Sequence, residues 1–322
     1  MVVDTYSEVI TQDKIGEWQE AHRSGIGASE IAAVIGEHRF ASRLRVWAEK
    51  VGRLEPMDFS DNEAVQMGLE LEPFVAAKYE KRTGRNISKG GVMLRSGHHD
   101  WAICTPDYWT MDGDGSWNIP VQIKTTSAFR LNDWSEGPPN EVWWQVQHEM
   151  LVTGAPWASV GVLVGGQRFM WVDVPRDESA IERIIAEGGA FWSMVVNHEY
   201  PDPDANSSEV LSELFPNGAE GEELALPQEA TGWDAELVSL KAQRATIEDE
   251  ISQLENRIKL AIGEAERGFL HDGSGSYTFK NQERWTYRLA AGEPKPSVSD
   301  EVVKAVAHRA EFRMLRRSGG KS

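Results

Sequence analysis

Residues 104–126 read CTPDYWTMDGDGSWNIPVQIKTT. An acid, Asp107, follows a proline, and after a turn-rich gap Gln122, Ile123 and Lys124 sit in an apolar-flanked run that predicts a strand. On a strand, positions 122 and 124 share one face and Ile123 points into the core. A cation held between Asp107 and Gln122, with the Lys124 ammonium in reach of an attacked phosphate, is the layout of a metal-dependent phosphodiesterase. Gln122 is the departure, since a carboxylate is usual at that place. An amide oxygen can still ligate a hard cation, though without charge, and the Ile123 carbonyl offers a further oxygen. In such a site the metal lowers the pKa of a bound water and offsets phosphate charge. Lys124 orients or deprotonates that water and stabilises developing negative charge. With one carboxylate fewer the metal requirement rises, and Asp112, Asp114 and Glu70 are the nearby acids able to compensate.

The elements that must position these residues follow from the pattern of the first 200 residues. RSGIGASEIAAVIG predicts a short helix led by Ser29 and Glu30 and stopped by Gly36. NEAVQMGLELEPFVAAKYEKRTG predicts a long helix, with Met67, Leu71, Phe74, Val75 and Tyr79 at helical spacing and Gly84 as its stop. GGVMLRS, WAICTPDYW and PVQIKTT are strand candidates, and PNEVWWQVQHEMLVTG is a second helix. ASVGVLVGG and RFMWVDV predict a hairpin around Gly165 and Gly166, and SAIERIIAEGGAFWSMVV a closing helix. This order is an α/β pattern with a mixed central sheet flanked by helices. It has no glycine-rich loop between strand and helix, which argues against a dinucleotide fold.

Beyond residue 200 the composition changes. Residues 201–232 contain no Lys or Arg and many acids, without periodicity, and are expected to form an acidic linker between a domain over residues 1–200 and an extension over residues 233–322. The extension opens on a heptad seam, Leu240, Ile247, Leu254 and Ala261, with Leu237, Arg244, Ile251 and Ile258 as its companion series. Such a helix packs in its own chain or against a second one. GSGSYTFKNQERWTYRL predicts a two-strand hairpin and EVVKAVAHRAEFRMLRR a basic terminal helix.

The net charge of −18 opposes nucleic-acid binding when taken globally, but the basic C-terminus shows how unevenly the charge is spread, so a local basic groove is compatible with it. One cysteine, Cys104, excludes an intramolecular disulfide and fits a reducing compartment. No apolar run approaches the length of a membrane span, and the N-terminus lacks a signal-peptide pattern, so the expected location is cytoplasmic, with no membrane partner.

GIGASEIAAVIG, MGLELEPFVAAKYEKRTG, TPD followed by QIK, QVQHEMLVTG, and FW near residue 191, in this order, resemble the YqaJ-type viral recombinase family, the lambda-exonuclease-like branch of the PD-(D/E)xK nucleases. The resemblance runs along almost the whole chain. It implies a PD-(D/E)xK core and a magnesium-dependent 5′-to-3′ exonuclease on double-stranded DNA ends, with manganese able to substitute for magnesium. It also implies that the single strand made in the bacterial host passes to an annealing protein in phage-type recombination, and that the enzyme is a homo-oligomer, in some relatives a ring. By the same resemblance Asp107 is a metal ligand, Gln122 stands where a glutamate ligand is usual, Lys124 is the catalytic lysine, and Glu72, in Gly68-x-x-x-Glu72, is the acid on the long helix. Arg23, Ser29 and Thr105 fall where related enzymes hold a terminal 5′ phosphate, and Gln147, with Gln145 as a second candidate, matches the helical glutamine. A histidine follows QVQ where related sequences have tyrosine.

Blander roles compete for several of these residues. Asp112 and Asp114 fit a turn between strands, and MDGDGS lacks the glutamate that would complete a calcium loop. His98 and His99 point to opposite faces if they lie on a strand. His148 fits a packing role, Trp143 and Trp144 fit core and interface, and Cys104 fits a small buried residue. Two other functions stay open: a catalytically silent DNA-end-binding or scaffold protein that lost a ligand at Gln122, and a structure-specific endonuclease.

Overall fold

The computed structural model describes residues 6–11, 15–113, 115–218, 221–286 and 308–319. Contacts divide the chain into two units, Met1–Glu220 and Gly221–Ser322.

The first unit begins with β1 (Tyr6–Thr11), α1 (Ile15–Arg23), β2 (Ile26–Gly27), α2 (Ile31–Val34) and α3 (Arg43–Lys50). Then comes the long helix α4 (Glu63–Thr83). Its start is fixed by Asn62, whose side chain accepts the Ala64 and Val65 N–H groups at 3.0 and 3.3 Å, and its end by Gly84 at φ 72°. Strands β3 (Ile87–Lys89), β4 (Val92–Ser96), β5 (Ala102–Cys104), β6 (Tyr108–Met111) and β7 (Trp117–Thr126) follow. Helix α5 (Asn140–Thr153) leads into the hairpin of β8 (Trp157–Val164) and β9 (Arg168–Pro175), which turns at Gly165 and Gly166, both at positive φ. Helix α6 (Glu178–Asn197) is capped by Asp177, and α7 (Ser208–Leu214) ends the unit.

The architecture is mixed α/β, and its strands form two sheets rather than one. The first has the order β1-β4-β5-β2 and the second β3-β6-β7-β8-β9. Both are mixed: β2 pairs parallel with β5 and β7 parallel with β8, and the other pairs are antiparallel. The run WAICTPDYW, expected as one strand, is therefore split, with β5 in the first sheet and β6 in the second. Pro106 has no N–H to give to a ladder, and the chain changes sheets there. The Gly90 N–H donates to the Asp107 carbonyl at 2.8 Å, and the Gly91 N–H to the Pro106 carbonyl at 3.1 Å. A Cβ on Gly90 would lie well inside contact distance of the Pro106 carbonyl oxygen, so only glycine allows this approach.

Three apolar clusters fill the unit. One gathers α2, α3 and α6, with Trp47, Phe191 and Ile184 fully buried. A second lies between α5 and β8, through Val146, Met150, Val160 and Val162. The third lies between α4 and β7, where Val75, Ala76 and Tyr79 pack on Val121 and Ile123.

Other expectations change as well. Residues 201–215 are not linker. Ser207 is buried with its hydroxyl 2.8 Å from that of Ser42, Asp204 accepts the Arg43 N–H at 2.9 Å, and Glu213 takes a forked pair from Arg45 at 2.8 Å each. The acids at 204 and 213 thus answer arginine-bearing helix surface. Glu30 holds the N-cap position of α2 without capping it through its side chain; its Oε2 instead accepts the Gly27 N–H at 2.6 Å and pairs with Lys50 at 2.8 Å. At the C-terminus, residues 301–307 lie outside the described residues, and His308–Gly319 is a strand rather than part of a basic helix.

In the second unit α8 (Ala230–Ile262) carries the heptad seam, followed by β10 (Arg267–Phe269), β11 (Gly275–Thr286) and β12 (His308–Gly319) in one antiparallel sheet of order β10-β11-β12. The expected two-strand hairpin within residues 273–289 is, over its described part, the single strand β11, which pairs with β12 from Gly275↔Gly319 to Thr286↔His308. No residue of α8 is buried, and Leu237, Leu240, Ile247, Ile251 and Leu254 are each 50–57% exposed. Ile258, Lys259 and Ile262, near its end, and Ala230 at its start are half-buried.

Gly90→Ala should lower thermal stability by about 1–3 kcal/mol, the usual cost of forcing a group into a filled space. Calorimetry measures it, and an unchanged melting temperature would show that the loop at residues 89–91 gives way freely.

Candidate active site

Strand β7 presents two faces. Val121 and Ile123 turn to α4, and Gln122 and Lys124 turn the other way, into a cavity of about 200 Å³. That cavity is also lined by Asp107 and Thr105 from the sheet junction, Ser29 from the turn after β2, Trp18 and His22 from α1, and Gln145 and Glu149 from α5.

The junction fixes Asp107. Ladder pairing of β6 with β7 reaches Tyr108↔Val121 and stops. The Ile123 N–H on that edge has no strand partner, and Asp107 Oδ2 accepts it at 2.8 Å. The N–H and carbonyl of one strand residue leave on the same edge, so the Ile123 carbonyl faces the Asp107 side as well. Burial raises the Asp107 pKa, and the Lys124 charge and the Ile123 hydrogen bond pull against it.

Glu149 is fully buried. Its Oε1 accepts from Gln145 Nε2 at 3.1 Å, and Oε2 has no partner. Burial pushes its pKa up to about 8, the Asp107 charge adds to this, and Lys124 opposes it. Gln122, 1% exposed, has no partner at either Oε1 or Nε2. Buried polar atoms without partners are uncommon and costly. The oxygens of Asp107, Gln122, Glu149 and the Ile123 carbonyl are a donor set of the kind a hard divalent cation takes. Among the described residues no three His, Cys, Asp or Glu side chains gather at metal-holding spacing, so carboxylates alone do not make the set.

Of the residues singled out in sequence, Asp107, Gln122, Lys124, Ser29, Thr105 and Gln145 line one cavity. Glu72 does not line it. It faces Tyr108, whose hydroxyl it holds, and lies 4.0 Å from Lys89; burial and then the Asp107 charge raise its pKa, so it is coupled to the site from outside. Arg23 pairs with the exposed Glu55 at 2.7 Å, and its neighbour His22 takes the place on the cavity wall. Gln147 is buried and structural: its Nε2 donates to the Pro175 carbonyl at 2.9 Å and its Oε1 accepts the Asp177 N–H at 3.0 Å. Asp112 makes the turn before β7, accepting from Ser116 N–H at 3.2 Å and Asn118 Nδ2 at 2.8 Å. Asp114 lies outside the described residues, and Glu70 is exposed on α4. His148 is buried with Nε2 3.2 Å from the Ile103 carbonyl, and burial takes its pKa down to about 4. Cys104 is a buried thiol whose pKa burial pushes well up.

Sequence reasoning missed Glu149, His22 and Trp18. A signal for Glu149 was present: an acid four residues after Gln145, on one helix stripe, inside the apolar run of Val146, Met150, Leu151 and Val152.

Every residue lining the cavity falls in the segment 17–156, which matches the family model of the YqaJ-like viral recombinase domain. The match covers a little under half of the chain. The chain is also 28% identical over 260 residues to the uncharacterized protein YqaJ of Bacillus subtilis, covering 79% of this chain and 80% of that one. Among solved structures it is similar to the alkaline exonuclease LHK-Exo of Laribacter hongkongensis, at 23% identity and TM-score 0.48, over 57% of this chain and 94% of that one. A phage-related exonuclease of Haemophilus somnus is similar at 12% identity and TM-score 0.41, over 56% and 99% of the two chains. Among the described residues, no helix is long and apolar enough to cross a membrane.

A carboxyl whose pKa rises on folding binds its proton more tightly in the folded state. The stability it lends is full below its ordinary value of 4.5 and is lost as pH rises toward about 8. In the presence of a chelator the melting temperature should therefore fall between pH 5 and about pH 8, and Glu149→Gln should flatten that fall. Parallel curves for the two proteins would show that Glu149 ionises normally.

Proposed function

We propose that this chain is a metal-dependent DNA exonuclease that digests one strand of a duplex from its 5′ end, leaving a single strand for an annealing protein in phage-type recombination. The observation that carries the reading is the convergence of Asp107, Gln122 and Lys124 on one cavity of the recombinase domain. Magnesium, or manganese in its place, would be held by Asp107, Gln122 Oε1 and the Ile123 carbonyl, and when bound supplies charge neutralisation and a more acidic water. The Ile123 N–H orients the Asp107 carboxylate through Oδ2. Lys124 Nζ orients the attacking water and offsets the charge that grows on the phosphate oxygens. Apolar Met93 and Ile103 in the wall limit bulk water around these groups.

End recognition rests on the Ser29 and Thr105 hydroxyls in the same cavity, because the Arg23 guanidinium is engaged with Glu55. Hydroxyls and a nearby ammonium suit a terminal phosphate. The cavity is small beside a duplex, which favours an end over an internal site. The neutral Gln122 favours one other reading, a silent DNA-end-binding protein, and the same assay separates the two.

Digestion of a 5′-phosphorylated duplex with magnesium, manganese or no metal tests the proposal. Lys124→Ala should slow digestion about 100- to 1000-fold with its melting temperature unchanged. Ends carrying a 5′ hydroxyl should be digested more slowly than phosphorylated ones. Tight binding of duplex ends without cleavage at any metal concentration would select the silent protein instead.

The proposal extends to assembly. The exposed seam of α8 has heptad spacing, which suits the same helix of another copy. Ile247→Glu together with Leu254→Glu should lower the mass seen by sedimentation equilibrium, and an unchanged mass would place any oligomer contact elsewhere.

A further inference from the structure

Besides Trp18 Nε1, three buried polar atoms in one cavity wall lack partners: Gln122 Oε1, Gln122 Nε2 and Glu149 Oε2. They come from different elements, β7 and α5, and share the wall with Asp107 and Lys124. A buried carboxyl with an open oxygen stays neutral by itself and holds its charge stably only beside a compensating positive group. Gln145, one helical turn before Glu149, gives a single N–H to Oε1 and leaves Oε2 open.

We propose that Glu149 of α5 is a metal ligand of this site, supplying the second carboxylate that β7 lacks because Gln122 is neutral. This inference rests on the metal-dependent reading above. A divalent cation between β7 and α5 satisfies Gln122 Oε1 and Glu149 Oε2 together. The charge arithmetic favours it too. With a divalent ion beside it Glu149 gives up its proton, Asp107 and Glu149 then carry two negative charges that balance the ion, and a glutamate at 122 would put a third carboxylate into the same small cavity. The neutral residue on the strand and the acid on the helix are in this view one exchange: the carboxylate has changed element while its oxygen faces the same space. Gln145 is then the positioning residue, holding Oε1 so that Oε2 stays turned to the metal.

The test is manganese binding to the full chain without DNA, followed by electron paramagnetic resonance of the free ion. Glu149→Gln keeps the shape of the side chain and should weaken manganese affinity at least about 10-fold, the scale of loss seen on perturbing metal-site residues. The exchanged pair, Gln122→Glu with Glu149→Gln, should recover most of that affinity, since it returns the charge to the strand. Melting temperatures of both variants, measured with chelator, establish that they are folded. Wild-type affinity in a folded Glu149→Gln, with the parent binding manganese, overturns the role of Glu149 and leaves the nuclease reading intact. A parent chain that binds no manganese and digests no DNA overturns both. Failure of the exchanged pair to recover affinity, with Glu149→Gln weakened, overturns the carboxylate exchange.

Discussion

Asp107 sits where the chain leaves one sheet and enters another, and its position depends on a hydrogen bond from the Ile123 backbone to Oδ2. A charge-assisted bond of this kind is worth about 1.5–3 kcal/mol. It joins the residue before β6 to the middle of β7 just where their ladder has run out. The backbone behind it is held by the N–H groups of Gly90 and Gly91, which donate to the carbonyls of Asp107 and Pro106. The same edge of β7 sets the direction of the Ile123 carbonyl, and the alternation of the strand sends Gln122 and Lys124 to the opposite face from the core residues Val121 and Ile123. One local pairing thus arranges the whole strand side of the cavity.

Helix α5 supplies the other side, and its side chains divide by direction. Val146 and Met150 pack on β8, Gln145 and Glu149 face the cavity, and Gln147 is bonded to the backbone where β9 gives way to α6. The glutamine pair in QVQ therefore has two different physical roles two residues apart. The helical repeat requires this, because side chains at 145 and 147 project about 200° apart around the axis.

Much of this was legible in sequence because it is local. Periodicity marked α4, α5, α6 and the β8–β9 hairpin, and Gly84 marked the end of α4. The shared face of Gln122 and Lys124 follows from strand geometry alone. The division into two sheets did not show, since it depends on β1, β2 and β3, strands of two to six residues with weak patterns. Arg23 and His22 are adjacent in sequence, and only the roll of α1 decides which of them meets the cavity. Glu149 was hidden for a related reason: an acid on a helix is ordinarily solvated, and its burial is a property of the packing around it. Residues 201–215 read as linker because their few anchors, Asp204, Ser207 and Glu213, answer partners some 160 residues earlier.

The bonds made by Gln147 bear on where the unit that holds the cavity ends as a physical object. The segment that matches the family stops at residue 156, yet the groups that Gln147 holds are at Pro175 and Asp177, and the parallel neighbour of β7 is β8, at residues 157–164. A polypeptide cut at the limits of the match would contain every residue of the cavity wall while lacking the strand beside Gln122 and Lys124 and the anchor that orients α5. The stretch matched by the family model is thus shorter than the compact unit it belongs to, and about 60 residues after it form the mould in which the reactive groups are cast.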